Sequence, residues 1–347
     1  MALKVAINGF GRIGRAFFKV ASKHAEIDII AINDLGDVDN LAYLLKYDTV
    51  YGRSGLEVTT EKSEGERPQN FLIVNGKRIV FISEREPTKL PWGTLGVDVV
   101  IESTGLYTSF EKSKVHLDAG AKRVVITAPV KDQSAPGVGA TVLMGINDSA
   151  LADVAISSNA SCTTNASSPV IQILHEAIGI EKAVLSTVHG YTASQSIVDG
   201  PSKKDWKEGR AAAQNIVPTS TGAAIAVTQA IPDLLGKFDG ISMRVPIPAG
   251  SIADITFIAK RPTSVEEINN LFKNAAGEER WKKVFSYTDE PLVSSDIVGS
   301  PFASIADLGL TRVVDGNLVK VCAWYDNEVG YTHALVEHVL AIKMYSK

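Results

Sequence analysis

The segment that most restricts the fold is Asn8-Gly9-Phe10-Gly11-Arg12-Ile13-Gly14-Arg15, which follows the apolar run KVAIN at once and leads into AFFKVASKH. Glycines in G-x-G-x-x-G spacing between a strand and a helix meet three needs: a sharp turn, close approach of backbone to a pyrophosphate, and tight packing of helix on sheet. The helix N-terminus then offers N–H groups to phosphates. Alone, the pattern also fits an ordinary glycine-rich turn. Its context narrows the choice. IDIIAIND supplies the next strand, and Asp34 at its end stands about 20 residues beyond Gly14, where a carboxylate accepts hydrogen bonds from ribose hydroxyls. The alternative is an Asp34 that only caps a turn. Leu35 follows, with no arginine beside it to receive a 2′-phosphate, so the reading is NAD over NADP.

The rest of the first 160 residues extends the pattern. DVVIESTG leads into SFEKSKVHLDAGA and then RVVITAP, so strand-like and helical runs alternate, as in a doubly wound, mostly parallel α/β sheet. Beyond residue 180 longer extended runs appear, AVLSTVHGYT, ISMRVPIPAGSIADITFIAK and ADLGLTRVVDGNLVKVCAWYD, the last with a turn at Asp315-Gly316. This texture predicts an α+β second domain with a largely antiparallel sheet. Helices are expected near Thr221, after Ser264 with Glu267 completing a capping box, and from about Asn327 onward. A length of 347 residues allows two such domains.

The charges exclude some functions. A formal net charge of -4 with interspersed signs gives no stripe for nucleic acid or basic patch for a membrane. No secretory leader pattern and no bilayer-length apolar run is seen, and two cysteines make a poor disulfide framework, so a reducing cytoplasm is expected. No metal-ligand spacing is expected to matter.

The two cysteines differ in setting. Cys162, in SNASCTTN, precedes the helical run PVIQILHEAIG, so it should lie at a helix N-terminus, whose dipole lowers a thiol pKa. The local sequence leaves two readings open, a nucleophile or a small buried residue. Cys322, within VKVCAWY, reads as structural. Of six histidines, His24, His116, His175 and His338 sit on apparent helices and read as exposed or partly buried without a role; His333 belongs to the last helix. His189 ends the strand run VLSTVHGYT, a place where rigid scaffolds position catalytic groups, although taken singly it reads as a core histidine.

Taken together, INGFGRIGR, LLKYDTVYGR, HLDAGAKRVVITAP, SNASCTTN, the HGYT turn, GRAAAQNIVPTSTGAA, EPLVSSD and WYDNEVGY closely resemble the phosphorylating glyceraldehyde-3-phosphate dehydrogenase family. The resemblance implies an NAD-binding Rossmann domain over 1–161, completed by the helix 327–347, a catalytic domain over 162–326, and a homotetramer. It implies Cys162 as nucleophile and His189 as its acid–base partner, passing through a hemithioacetal and a thioester to 1,3-bisphosphoglycerate. It implies that Thr192 and Arg244 hold the substrate phosphate, an arginine otherwise read as a surface or interface residue, and that Ser161, Thr163, Thr221 and Gly222 hold the attacking phosphate. Gly9, Gly11, Arg12, Ile13, Gly14, Asp34, Arg85, Thr104, Gly105, Asn327 and Tyr331 are implied at the cofactor.

Departures from the family pattern are few. Ala166 replaces a second cysteine, Ile225 a frequent lysine, Val329 a tryptophan, and AGS at 249–251 a more usual NVS; EKSEGERPQ and KDQSAPGVGA read as extended surface loops. None removes a catalytic side chain. Two other functions stay open at this point: a sister enzyme oxidising erythrose 4-phosphate with water as acyl acceptor, and a catalytically weak nucleotide-binding paralogue.

Overall fold

A computed structural model describes residues 1–63, 69–202 and 205–345. The centre of the 61–69 loop lies outside these residues. The chain divides into two compact units: Met1–Val142 with Asp148–Asn159 and Leu335–Lys347, and Leu143–Asn147 with Ala160–Ala334. The helix Val329–Tyr345 is therefore shared, its residues changing unit at Leu335.

In the first unit nine of the described strands form one sheet, ordered Ala140–Thr141, Ile156–Ser158, Arg123–Ile126, Val99–Glu102, Leu3–Asn8, Ile27–Asn33, Lys77–Ile82, Asn70–Val74, Val58–Lys62, while Tyr47–Asp48 and Gly52–Arg53 pair with each other apart from it. All pairings within that sheet are parallel except the two among its last three strands. The parallel strands are Val- and Ile-rich because both faces are covered: Val5, Ala6, Ile7, Val99, Val100 and Ile101 have no exposure. One face packs Trp92, Val97, Leu90 and Ala121 against Ala6, Ala31 and Val100.

The expected alternation fails between residues 58 and 82. Here an antiparallel meander replaces a helical crossover, turning at Asn75 (φ 48°) and Gly76 (φ 79°). Both turn residues are left-handed, which Asn and Gly tolerate and which matches the twist of a tight hairpin.

The second unit's sheet runs Val217–Ser220, Phe238–Val245, Ile180–Gly190, Ser251–Ala259, Leu318–Tyr325, Ser304–Val314, Phe285–Thr288, with four of its six pairings antiparallel. The expected hairpin turn is present, with Asp315 and Gly316 both at positive φ. Ser264 does cap the helix Val265–Ala276 by accepting the Glu267 N–H. The Glu267 carboxylate does not reach back to complete the box, because Arg261 and the Thr263 hydroxyl occupy it.

Two histidines also depart from expectation. His116 and His338 are fully buried, each between side-chain partners. The Trp92 indole N–H donates to His116 Nδ1 at 3.2 Å, so Nε2 carries the proton and donates to Glu102 at 3.0 Å. His338 lies between Ser157 and Asn159.

Candidate active site

In the first unit the strand Leu3–Asn8 ends at Gly9, and the helix Arg12–Ala21 begins with Gly11 as a cap that has no side chain. The three glycines do different jobs. Gly9 is left-handed (φ +96°), and a Cβ there would lie 2.7 Å from the Thr104 nitrogen; a Cβ on Gly14 would lie 2.1 Å from the Gly9 carbonyl oxygen. Gly11 is another matter, since a Cβ on it would meet no atom within 4 Å. The protein's own packing requires the first two glycines and not the third, which leaves an open cradle at the helix N-terminus of the kind a pyrophosphate fills.

That cradle belongs to a cavity of about 290 Å³ lined by Gly9, Gly11, Asp34, Arg85 and Thr104, among others. Asp34 is fixed by the Phe10 N–H at 2.6 Å and the Gly36 N–H at 2.8 Å, one on each carboxylate oxygen. Leu35 is 55% exposed on the lining. Thr104 is held by Glu102, which accepts its N–H at 2.9 Å and its hydroxyl, while Asn8 donates to the same carboxylate at 2.6 Å. Arg12 pairs with Asp48 at 2.9 Å, and Arg12, Ile13, Gly14 and Gly105 lie outside the lining. The donor set suits a dinucleotide.

In the second unit Ala160, a non-glycine at φ 55°, turns the chain into Ser161. Ser161 accepts the Thr164 N–H at 3.1 Å and caps the helix Cys162–Ile178, which takes Pro169 into its interior. Cys162 is thus the first helical residue, half-buried, with its Sγ 3.3 Å from His189 Nε2. His189 stands at the end of Ile180–Gly190, in parallel register with Arg244 on Phe238–Val245, and Arg244 Nη1 lies 2.7 Å from His189 Nδ1.

Electrostatics here correct the sequence expectation. Burial pushes the Cys162 thiol up, and the pull of Arg244 and the hydrogen bonds of Thr163 in the other sense does not cancel it. The helix N-terminus alone does not decide the state of this sulfur. His189 is lowered to about 3, first by burial and then by the Arg244 charge, so it is neutral at pH 7. Cys322 is pushed up to about 11 by burial and by Asp254, as a structural thiol should be.

The remaining expected residues are dispersed around this core. Thr163 bonds the Tyr325 hydroxyl at 2.9 Å, and Tyr325 bonds Thr187 at 2.7 Å, with its ring edge-on to His189. Tyr325 was not singled out by sequence reading. Its only signal is its place at the end of a strand, Leu318–Tyr325. Thr192 bonds Ser194 in the loop after His189, Thr221 accepts the Ala223 N–H, and Gly222 caps Ala223–Ala230. None of the hydrogen bonds described joins Thr192, Thr221 or Gly222 to Cys162. Asn327 Oδ1 accepts from the Gly250 N–H and the Ser251 hydroxyl, and Tyr331 is buried with its hydroxyl 3.5 Å from the Ala160 carbonyl. Ala166 is buried and Ile225 is 53% exposed. Among the described residues no His, Cys, Asp and Glu cluster could hold a metal, and no helix is long and apolar enough to cross a membrane.

A dinucleotide-binding sheet and a separate unit carrying a thiol beside a neutral imidazole define the class, an NAD-dependent oxidoreductase. Two family models match: the NAD-binding domain of glyceraldehyde 3-phosphate dehydrogenase over residues 3–110, and the C-terminal domain of the same enzyme over 161–327. The chain is 47% identical over 339 residues to the glyceraldehyde-3-phosphate dehydrogenase of Geobacillus stearothermophilus, covering 97% of each, and 48% identical over 349 residues to that of Mycobacterium avium, covering 99% of each. It belongs to the glyceraldehyde-3-phosphate dehydrogenase family.

Proposed function

We propose that this chain oxidises D-glyceraldehyde 3-phosphate to 1,3-bisphosphoglycerate, using NAD and inorganic phosphate, through a thioester on Cys162. The observation that carries this reading is the 3.3 Å contact between Cys162 Sγ and His189 Nε2 at the start of a helix. NAD, when bound, supplies the hydride acceptor. Cys162 sulfur adds to the aldehyde carbon, giving a hemithioacetal. His189 Nε2 takes the hydroxyl proton as that carbon loses its hydride, and a thioester remains. Inorganic phosphate attacks the thioester carbon, the carbon–sulfur bond breaks, and the thiolate returns. Sulfur suits this task because a thioester is a more reactive acyl donor than an ester.

Arg244 and Thr192 are the residues we assign to the substrate phosphate, the former for its forked donors. The attacking phosphate is assigned to Ser161, Thr163, Thr221 and Gly222. Gly9, Gly11, Arg12, Ile13, Gly14, Asp34, Arg85, Thr104, Gly105 and Tyr331 are assigned to the cofactor. Asn327, whose oxygen is already engaged, would offer its amide nitrogen to the carboxamide. The same reading places the NAD domain at 1–161 with 327–347, the catalytic domain at 162–326, and the enzyme in the cytoplasm as a homotetramer.

The test follows NADH formation from glyceraldehyde 3-phosphate. Steady turnover should require inorganic phosphate, and Cys162→Ser should lower kcat by more than about a thousandfold. Turnover without phosphate, or full activity in the serine variant, would overturn the assignment.

A further inference from the structure

The strand Val99–Glu102 ends on an acidic residue that the reaction described above does not use. The Glu102 side chain is only 1% exposed, and a carboxyl group taken so far out of water is costly unless donors surround it. Its bonds divide between the two oxygens. Oε2 receives the Asn8 amide N–H at 2.6 Å and the His116 Nε2–H at 3.0 Å; Oε1 receives the Thr104 backbone N–H at 2.9 Å and the Thr104 hydroxyl. Every one of these bonds is donated to Glu102, so a carboxylate satisfies them all, whereas the O–H of a carboxylic acid would find no acceptor among them. None of the partners is a cation, because His116, with Nδ1 taken by the Trp92 N–H, brings a single ring proton.

The two oxygens have different tasks. Oε2 is anchored from behind: Trp92 orients His116, and the Asn33 amide donates to Asn8 Oδ1 at 2.7 Å, which turns the Asn8 N–H toward Glu102. Trp92 and His116 lie outside the lining of the dinucleotide cavity. Oε1 faces Thr104, which is part of that lining. The Thr104 proton is committed to Oε1 and the Leu106 N–H donates to the same hydroxyl at 3.1 Å, so Thr104 keeps a lone pair and has no proton to give. Its backbone N–H is held by the same carboxylate oxygen, beside the space that a Cβ on Gly9 would take.

We propose that Glu102 is a positioning residue for NAD: anchored through Oε2, its carboxylate holds Thr104 through Oε1 so that the Thr104 hydroxyl meets the dinucleotide as an acceptor. The proposal rests on the assignment of Thr104 to the cofactor. NAD offers such an acceptor its ribose hydroxyls, its amino group and its amide, while its phosphates offer no proton. A hydroxyl whose rotation is fixed before the cofactor arrives loses less freedom on binding than a free one.

Glu102 touches no cofactor in this scheme, so its effect on NAD affinity passes through Thr104, and that separates it from a mere brace of the strand end. A double-mutant cycle reads the coupling, with NAD dissociation constants from calorimetric titration of the full chain and thermal unfolding without NAD recorded alongside. Thr104→Val should weaken NAD binding by about fivefold or more. Glu102→Gln, which sets N–H groups where an acceptor stood, should weaken it by about the same factor on its own and by less than about twofold when added to Thr104→Val. Glu102→Asp keeps both acceptor oxygens and draws them back by one carbon; it should give the same pattern at about threefold, and it carries the cycle if the amide leaves the chain unfolded. A brace would lower the unfolding temperature and let the two losses multiply. Equal losses from the Glu102 substitutions in both backgrounds, or NAD binding in them as tight as in wild type, overturn the positioning role. If Thr104→Val itself binds NAD as wild type does, the cofactor assignment of Thr104 has failed.

Discussion

Cys162 and Cys322 are the same residue in the same unit, and their surroundings give them opposite chemistry. Cys322 is enclosed in a strand beside Asp254, and everything around it opposes ionisation except Lys320 and Arg312. Cys162 is also opposed by burial, yet it has Arg244 and the donors of Thr163 on the other side, and an imidazole within reach of its proton. Behind Thr163 runs a chain of hydroxyls whose direction is fixed at its far end. Thr187 donates to the Ile252 carbonyl at 3.2 Å, so Tyr325 must donate to Thr187, and Thr163 must donate to Tyr325. The Thr163 hydroxyl has one proton, so while it donates to Tyr325 it cannot also donate to the Cys162 sulfur, and only the Thr163 backbone N–H is then left to favour an anion. Tyr325→Phe is expected to cost about 1–3 kcal/mol of stability, because buried hydroxyls lose their partner. It should also lower the KM for inorganic phosphate several-fold, because the Thr163 proton becomes available. Denaturant unfolding and initial rates at varied phosphate check both; a raised phosphate KM would contradict the hydroxyl chain.

At the scale of elements, the strand–turn–helix at residues 3–21 was legible because each of its glycines has a backbone reason. The reasons are separable by substitution. Gly14→Ala puts a Cβ against the Gly9 carbonyl and should destabilise the cofactor-free chain by about 1–3 kcal/mol. Gly11→Ala meets open space at an ordinary φ of -69° and should change stability by less than about 0.5 kcal/mol, while weakening NAD binding by about tenfold or more. Thermal unfolding without NAD and a fluorescence titration with it measure the two effects apart. If Gly11→Ala binds NAD normally, the open cradle is not where the pyrophosphate lies. The meander over residues 58–82 was missed, although its signal was present: Asn75-Gly76 joins two short runs rich in β-branched and aromatic residues, FLIV and RIVFI, in the pattern of a two-residue hairpin. The expectation of regular helix–strand alternation outweighed the local turn.

At the scale of the whole molecule, pattern reading found the residues and not their meeting. Cys162 and His189 lie on a helix and a strand far apart in sequence, and His189 and Arg244 become neighbours only through parallel pairing, which no local signal specifies. The same holds for His338, whose helical position looked ordinary and whose burial depends on Ser157 and Asn159. Each unit thus carries a histidine kept neutral by burial, both lowered to about 3 from an ordinary 6.5. Asn159 donates to His338 Nδ1, so a second ring proton would face a donor there as well. In the unfolded chain these groups take up protons near pH 6.5. The unfolded state then binds more protons than the folded one, and stability rises with pH across the interval from about 3 to 6.5. It is fully present above pH 6.5 and is lost on acidification. Carboxylates lowered by partners, such as Asp48, Asp98 and Glu176, titrate below their ordinary 3.8 or 4.5 and leave the interval between pH 5 and 7 to the histidines. From pH 7 to pH 5, each histidine should remove about 2 kcal/mol of unfolding free energy. In His338→Asn the loss over the same interval should be smaller by that amount, whatever the substitution does to stability at pH 7. Denaturant unfolding of both proteins at the two pH values gives the comparison, and equal losses would mean that His338 does not titrate on unfolding.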